Sequence, residues 1–230
     1  MSGTLYGVGV GPGDPRLMTL LAVETIEKCP VIAVPAEGRE HAISYQIANG
    51  VVKGLAEKMC LNLSTPMTKD PEILEQNYER AAGQIIRQLE ENRDVAYLTL
   101  GDPTIYSTYI YIHRLVRGQG YSARIINGIP SFCAVAARIG DSLADRSEQL
   151  HIIPSSYQIE ETLDYPGNKV FMKAASKLSG VKHTLQEKHM TAVMIENCGL
   201  PDEHIYQGAA SMPEQASYYS IVLVKEGTHD

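Results

Sequence analysis

The stretch Leu98-Thr99-Leu100-Gly101-Asp102-Pro103-Thr104-Ile105 constrains this chain more than any other. The run from Val95 to Leu100 reads as a buried strand, Gly101-Asp102-Pro103 stops it, and Thr104 onward opens a helical period. A strand-to-helix corner belongs in an α/β sheet, where strand ends and helix N-termini leave backbone groups pointing into the crevice that takes ligands. Glycine at 101 lets a ligand reach the backbone with no Cβ in the way. An ordinary βα turn would carry the same residues, and both readings stand here.

With 44% apolar and 20% charged residues, 230 residues suffice for one large α/β domain or two small ones. The net charge of −7 and a pI near 5.5 argue against a nucleic-acid binder while leaving room for a local basic pocket. Cys29, Cys60, Cys133 and Cys198 lie far apart, which suggests neither a zinc cluster nor a disulfide framework; reduced thiols in a cytoplasmic compartment are the simplest expectation. Nothing approaches the roughly eighteen apolar residues that span a bilayer, so no membrane association is expected.

In chain order, Leu5 to Val10 is a short strand running into Gly7-Val8-Gly9-Val10-Gly11-Pro12-Gly13-Asp14-Pro15. A dinucleotide fingerprint fails on spacing: the sixth position from Gly7 is Pro12 and from Gly9 is Asp14, a carboxylate where a phosphate would sit. That disfavours a nicotinamide oxidoreductase. A helix is expected from Pro15 to Lys28, a strand over Val31 to Val34, a helix over Ala42 to Asn49 and a strand over Lys58 to Leu63. The polar loop from Ser64 to Pro71 suits a lid or a plain connection, and Asp70-Pro71-Glu72 opens a helix that runs to about Glu91. Tyr106, Tyr109 and His113 fall on one face of the helix expected after the corner, as core or as a wall for a flat ligand. Gly118-Gln119-Gly120 reads as a hinge, dividing the chain into domains 1–118 and 119–230. Beyond it come a strand over Ala123 to Ile126, a helix from Ser131, which is placed as its cap, and four strands with only two further helices, which suggests a mixed sheet.

Three stretches together, Gly9 to Pro15, Gly101-Asp102-Pro103 and Val193-Met194-Ile195-Glu196-Asn197, resemble the corrin and porphyrin methyltransferases, which use S-adenosyl-L-methionine on cyclic tetrapyrroles. Within that family the residues from Leu98 to Thr108, with Gly128 to Cys133, look most like the C20-methyltransferases of cobalamin biosynthesis, acting on precorrin-2 or cobalt-factor II. The resemblance implies two α/β domains with the cofactor in the cleft between them, and a homodimer. It implies cofactor contacts at Pro12, Leu100, Gly101, Asp102, Ile105, Ser131, Phe132, Met172, Cys198, Ser220 and Ile221, leaving S-adenosyl-L-homocysteine as product. The family usually carries glycine where Cys198 stands.

Methyl transfer from a sulfonium to a carbon nucleophile asks the protein to align the two and exclude water, and methylation of a meso carbon also releases a proton. Asp14 and Asp102 are the nearest carboxylates for a base; a loop-orienting role is the alternative at Asp14, and a cofactor contact at Asp102. A tetrapyrrole rich in carboxylates calls for cations, and Arg16, Arg39, Arg138 and Lys173 stand near loop or strand ends, either for that purpose or as solvated charges. His41, His113 and His151 would meet a central metal only if the substrate carries one; structural or exposed histidines are the plainer reading, and no protein metal site is expected. Another tetrapyrrole C-methyltransferase, or an adenosyl-binding sensor without catalysis, remains the rival reading.

Overall fold

The computed structural model describes residues 2–64, 66, 68, 70–154 and 159–226. The chain folds as two units, Met1–Pro130 and Ser131–Asp230.

The first unit is built on five parallel strands, β1 (Thr4–Gly9), β2 (Val31–Val34), β3 (Met59–Asn62), β4 (Val95–Thr99) and β5 (Ser122–Ile126), in the order β3-β2-β4-β1-β5. β2 and β4 are buried at every residue, as expected where helices cover both faces of a parallel sheet. One face packs Val8, Ile32, Val34 and Leu98 against α1 (Leu20–Lys28) and α2 (Ile43–Asn49). The other packs Leu5, Val31, Val95 and Tyr97 against α3 (Pro71–Glu90) and α4 (Tyr109–Gly118). α3 starts where the sequence places it, with Asp70 accepting from Glu72 N and Ile73 N ahead of Pro71. The loop between β3 and α3 falls partly outside the described residues.

Three local expectations are corrected. The helix expected from Pro15 is a 3-10 turn over Pro15–Leu17, and α1 begins only at Leu20 because Thr19 accepts from Ala22 N as its N-cap. The helix expected from Thr104 begins at Tyr109; Asp102 accepts from Thr104 N in a local turn, and Tyr106 takes φ +46°, which no helix tolerates. Tyr106 is therefore exposed and off the face shared by Tyr109 and His113, which are core. The hinge expected at Gly118 is the end of α4, and since β5 pairs with β1 the first unit runs on to Pro130.

Tyr109 gives its phenolic proton to Arg124 O at 2.9 Å and lies 2.9 Å from His113 Nδ1, so His113 Nδ1–H donates to the phenol oxygen. Burial, with Arg117 and Arg114 nearby, holds the His113 pKa below its ordinary value. Below pH of about 6.5 the unfolded chain therefore binds a proton that native His113 refuses, and stability should fall from there down to the native value. Urea midpoints at pH 7.5 and 5.5 should draw closer together in His113→Gln than in the wild type.

The second unit opens with α5 (Ser131–Ile139), which packs on β10 (Ser220–Lys225). With β6 (Leu150–Pro154), β7 (Asn168–Met172), β8 (Thr191–Glu196) and β9 (His204–Gln207), it forms a sheet of order β6-β7-β10-β8-β9, parallel only at β6-β7. α6 (Ile159–Leu163) and α7 (Leu178–Glu187) cover the face carrying Phe171, Met194, Val222 and Val224. The mixed sheet matches the expectation. No helix among the described residues is long and apolar enough to cross a membrane.

Candidate functional site

β4, β1 and β5 are neighbours in register, Gly9 opposite Thr99 and Val8 opposite Ile126, so their three following loops emerge at one sheet edge. There Gly101 N donates to Gly11 O at 2.8 Å and Gly11 N to Gly101 O at 3.3 Å, with φ of +69° and +77°. A Cβ on Gly9 would stand 2.6 Å from both Gly101 O and Gly128 N, and one on Gly128 2.2 Å from Gly101 O. Backbones this close admit only glycine. Gly9 and Gly11 thus serve contact between three loops, whereas a Cβ on Gly7 would meet the Tyr109 ring. Pro12, Leu100, Gly101, Asp102 and Ile105 come together at this edge.

Asp102 ties the edge down. Its buried carboxylate accepts from Thr104 N at 2.8 Å and Thr104 Oγ1 at 2.5 Å on one oxygen, and from Asn127 Nδ2 and Gly128 N at 3.0 Å each on the other. Burial alone would raise its pKa, but the bonds from Thr104, Asn127 and Gly128 outweigh that and hold it below the usual carboxylate range. Asp14 is spent in its own way. It caps the 3-10 turn through Arg16 N at 2.9 Å and takes the Arg16 guanidinium at 2.6 Å, whose hydrogen bonds hold its carboxyl below the ordinary range. For both residues this geometry fits loop orientation better than a general base.

In the second unit Met172 ends β7 opposite Ile221, Ser220 begins β10 opposite Glu196, and Cys198 lies two residues beyond the end of β8. They share one end of the sheet. The Ser220 hydroxyl is fully buried and donates to Ser217 O at 2.6 Å, so a ligand would meet this residue through its backbone. Burial, reinforced by the Glu203 carboxylate beside it, pushes the Cys198 thiol up to about 11. Ser131 is the first residue of α5 rather than the residue preceding it, and Phe132 is buried.

The four candidate cations all have partners within the chain. Arg16 holds Asp14, Arg138 holds Glu203 at 2.6 Å, Arg39 donates to Ala56 O at 2.9 Å and lies over the Tyr45 ring, and Lys173 Nζ lies 5.4 Å from the Tyr218 ring centre. Of the histidines, His151 Nε2 meets Pro166 O at 2.9 Å, His41 sits 3.6 Å from Glu40, and His113 is core.

In the first unit Pro12, Leu100 and Ile105 are apolar residues flanking the corner, to which Asp102 brings negative charge; in the second unit Phe132, Met172 and Ile221 are likewise apolar, the first and last of them buried. Asn127, Gly128 and Thr104, the partners of Asp102, were not legible as site residues. Asn127-Gly128 directly after a strand was the one available signal.

Comparison with known proteins gives the family and the fold. The probable cobalt-precorrin-2 C(20)-methyltransferase of Methanocaldococcus jannaschii is 33% identical over 228 residues, covering 96% of this chain and 95% of that one. The cobalt-precorrin-2 C(20)-methyltransferase of Salmonella typhimurium is 26% identical over 98% of each chain. Among solved structures, a cobalt precorrin-4 methyltransferase superposes with a TM-score of 0.77 at 17% identity, covering 96% of this chain and 94% of that one. A uroporphyrin-III C-methyltransferase from Thermus thermophilus complexed with S-adenosylhomocysteine gives 0.69 at 18%, covering 96% and 97%. These two likenesses concern the fold. The family model described as Tetrapyrrole (Corrin/Porphyrin) Methylases matches residues 4–213, from the first strand through β9, and with the glycine-packed corner in place this chain belongs to that family.

Proposed function

We propose that this protein is an S-adenosylmethionine-dependent methyltransferase that methylates C20 of cobalt-factor II, or of the metal-free precorrin-2, in cobalamin biosynthesis. The observation that carries the reading is the 33% identity, over nearly the full length of both chains, to a relative named for C20 methylation of cobalt-precorrin-2. S-adenosylmethionine supplies a methyl group already activated on a sulfonium. The chain's own part is to bind, align and exclude water. Gly101 opens the corner to close approach, Pro12, Leu100 and Ile105 give it apolar walls, and Asp102 holds it rigid against Gly128. Neither Asp14 nor Asp102 is assigned the proton that leaves the meso carbon. Residues Ser131, Phe132, Met172, Cys198, Ser220 and Ile221 are proposed as the second unit's contacts to the donor. A homodimer working in the cytoplasm belongs to the same reading, supported by the family resemblance and by four cysteines that are all free.

Incubation with cobalt-factor II or precorrin-2 and methyl-labelled S-adenosylmethionine should give a product one methyl group heavier, with the label at C20. A folded protein that binds S-adenosylhomocysteine yet methylates neither tetrapyrrole would instead be a sensor.

A further inference from the structure

We propose that Glu196 is a positioning residue for the methyl donor, fixing through Ser217 the start of β10, where Ser220 and Ile221 are expected to meet the donor. The proposal rests on the functional reading above.

Glu196 is the last residue of β8 and is 9% exposed. A carboxylate at the end of an apolar strand is costly unless its oxygens are hydrogen-bonded. One oxygen accepts from Tyr206 OH at 2.8 Å, and this bond stays within the sheet, since β9 already pairs with β8 with Tyr206 opposite Met194. The other accepts from Ser217 N at 2.6 Å, and that bond does something different. Ser217 precedes β10 and has no place in the ladder, so its position is set by what its own groups find.

Asn197 completes the hold. At φ +52° it turns the chain so that its N–H donates to Tyr219 O at 3.1 Å, while its side-chain oxygen accepts from Ser217 Oγ at 2.9 Å. The Asn197 amide in turn donates to Asp202 at 2.8 Å, which fixes which way the side chain faces. Ser217 O then accepts the buried Ser220 hydroxyl at 2.6 Å. Residues 217 to 219 thus hang from Glu196 and Asn197 by two bonds at Ser217 and one at Tyr219. The chain passes from there directly into Ser220, and then into Ile221 opposite Met172. The chemistry parallels Asp102 in the first unit, where a buried carboxylate holds a neighbouring loop by its backbone N–H. A structural role alone would draw equally on both oxygens of Glu196, whereas positioning draws on the Ser217 bond.

The test is calorimetric titration of the full chain with S-adenosylhomocysteine, alongside thermal melting. Loss of a hydrogen bond to a charged group weakens an interaction by about tenfold or more. Glu196→Ala should therefore bind at least about tenfold more weakly. Glu196→Gln, whose amide oxygen still accepts from Ser217 N, should stay within about threefold of wild type. Tyr206→Phe, which removes only the bond within the sheet, should bind as wild type whatever it does to the melting temperature. If Glu196→Ala fails to fold, Glu196→Asp, too short to reach both partners, should show the weakened binding instead. Wild-type affinity in a folded Glu196→Ala or Glu196→Asp overturns the proposal, and so does an equal loss in Tyr206→Phe. A wild-type chain that binds no S-adenosylhomocysteine overturns the functional reading, and this proposal with it.

Discussion

Gly128→Ala is expected to lose about 3 kcal/mol of stability, the upper end of what overpacking usually costs, and most of its affinity for S-adenosylhomocysteine. The new methyl group would stand 2.2 Å from Gly101 O and 2.8 Å from the Gly9 carbonyl carbon and oxygen. All of these are backbone atoms, so no side chain can rotate away. Gly101 is also held in its two-bond exchange with Gly11, and Gly9 lies in register with Thr99 in the sheet. Relief must therefore come from moving Asn127-Gly128 outward, which pulls Gly128 N from Asp102 and opens the corner proposed to hold the donor. Gly83→Ala makes the control. Gly83 lies inside α3 with open space where the Cβ would go, so that substitution should gain up to about 1 kcal/mol from helix propensity alone. Urea midpoints of the two variants should move in opposite directions. Equal midpoints for Gly128→Ala and wild type would mean that the three loops are not packed as described.

The range of the forces involved decides which parts of this were legible in the sequence. Strands such as Val31–Val34 and Val95–Thr99 are buried on both faces, so their apolar runs announce themselves locally. His204–Gln207 is an edge strand with three exposed residues, and its sequence carries no comparable pattern. The late start of α4 was hidden because Pro103-Thr104 looks like a helix opening, while what prevents the helix is a turn closed by the Asp102 side chain. The same limit applies to the site. Gly101 and Asp102 stand out because a strand visibly stops there, but besides the nearby Thr104 two of the partners of Asp102 lie 25 and 26 residues further on and enter only through the pairing of β5 with β1. Glu196 was visible as part of a motif, yet its bond to Ser217 spans 21 residues across a β-sheet whose order interleaves β10 between β7 and β8. The cations were the least legible. A sequence shows an arginine near a loop, but not that Arg138 is already held by Glu203, 65 residues away.

Asp102→Ala should cost about 3 kcal/mol, because four donors, two from Thr104 and one each from Asn127 and Gly128, lose a shared buried acceptor. Asp102→Asn should recover only part of this. Its amide oxygen can serve Thr104, but its NH2 group then faces Gly128 N–H, donor against donor. The acid limb of the stability curve gives an independent reading. Since the native carboxyl is held below the ordinary value, its contribution is present above pH of about 3.9 and is lost as pH falls through the native pKa. Stability measured from pH 6 to pH 3 should therefore fall less steeply in Asp102→Asn than in wild type. Calorimetry with S-adenosylhomocysteine then separates a clamp from a base. A carboxylate that only accepted the proton from the meso carbon would leave binding of the spent donor untouched in the asparagine variant while turnover vanished. A carboxylate that holds the corner to Gly128 loses affinity and stability together, and that joint loss is the expected result. Unchanged affinity with abolished turnover would return Asp102 to the catalytic role and leave the corner held by the Gly11–Gly101 exchange alone.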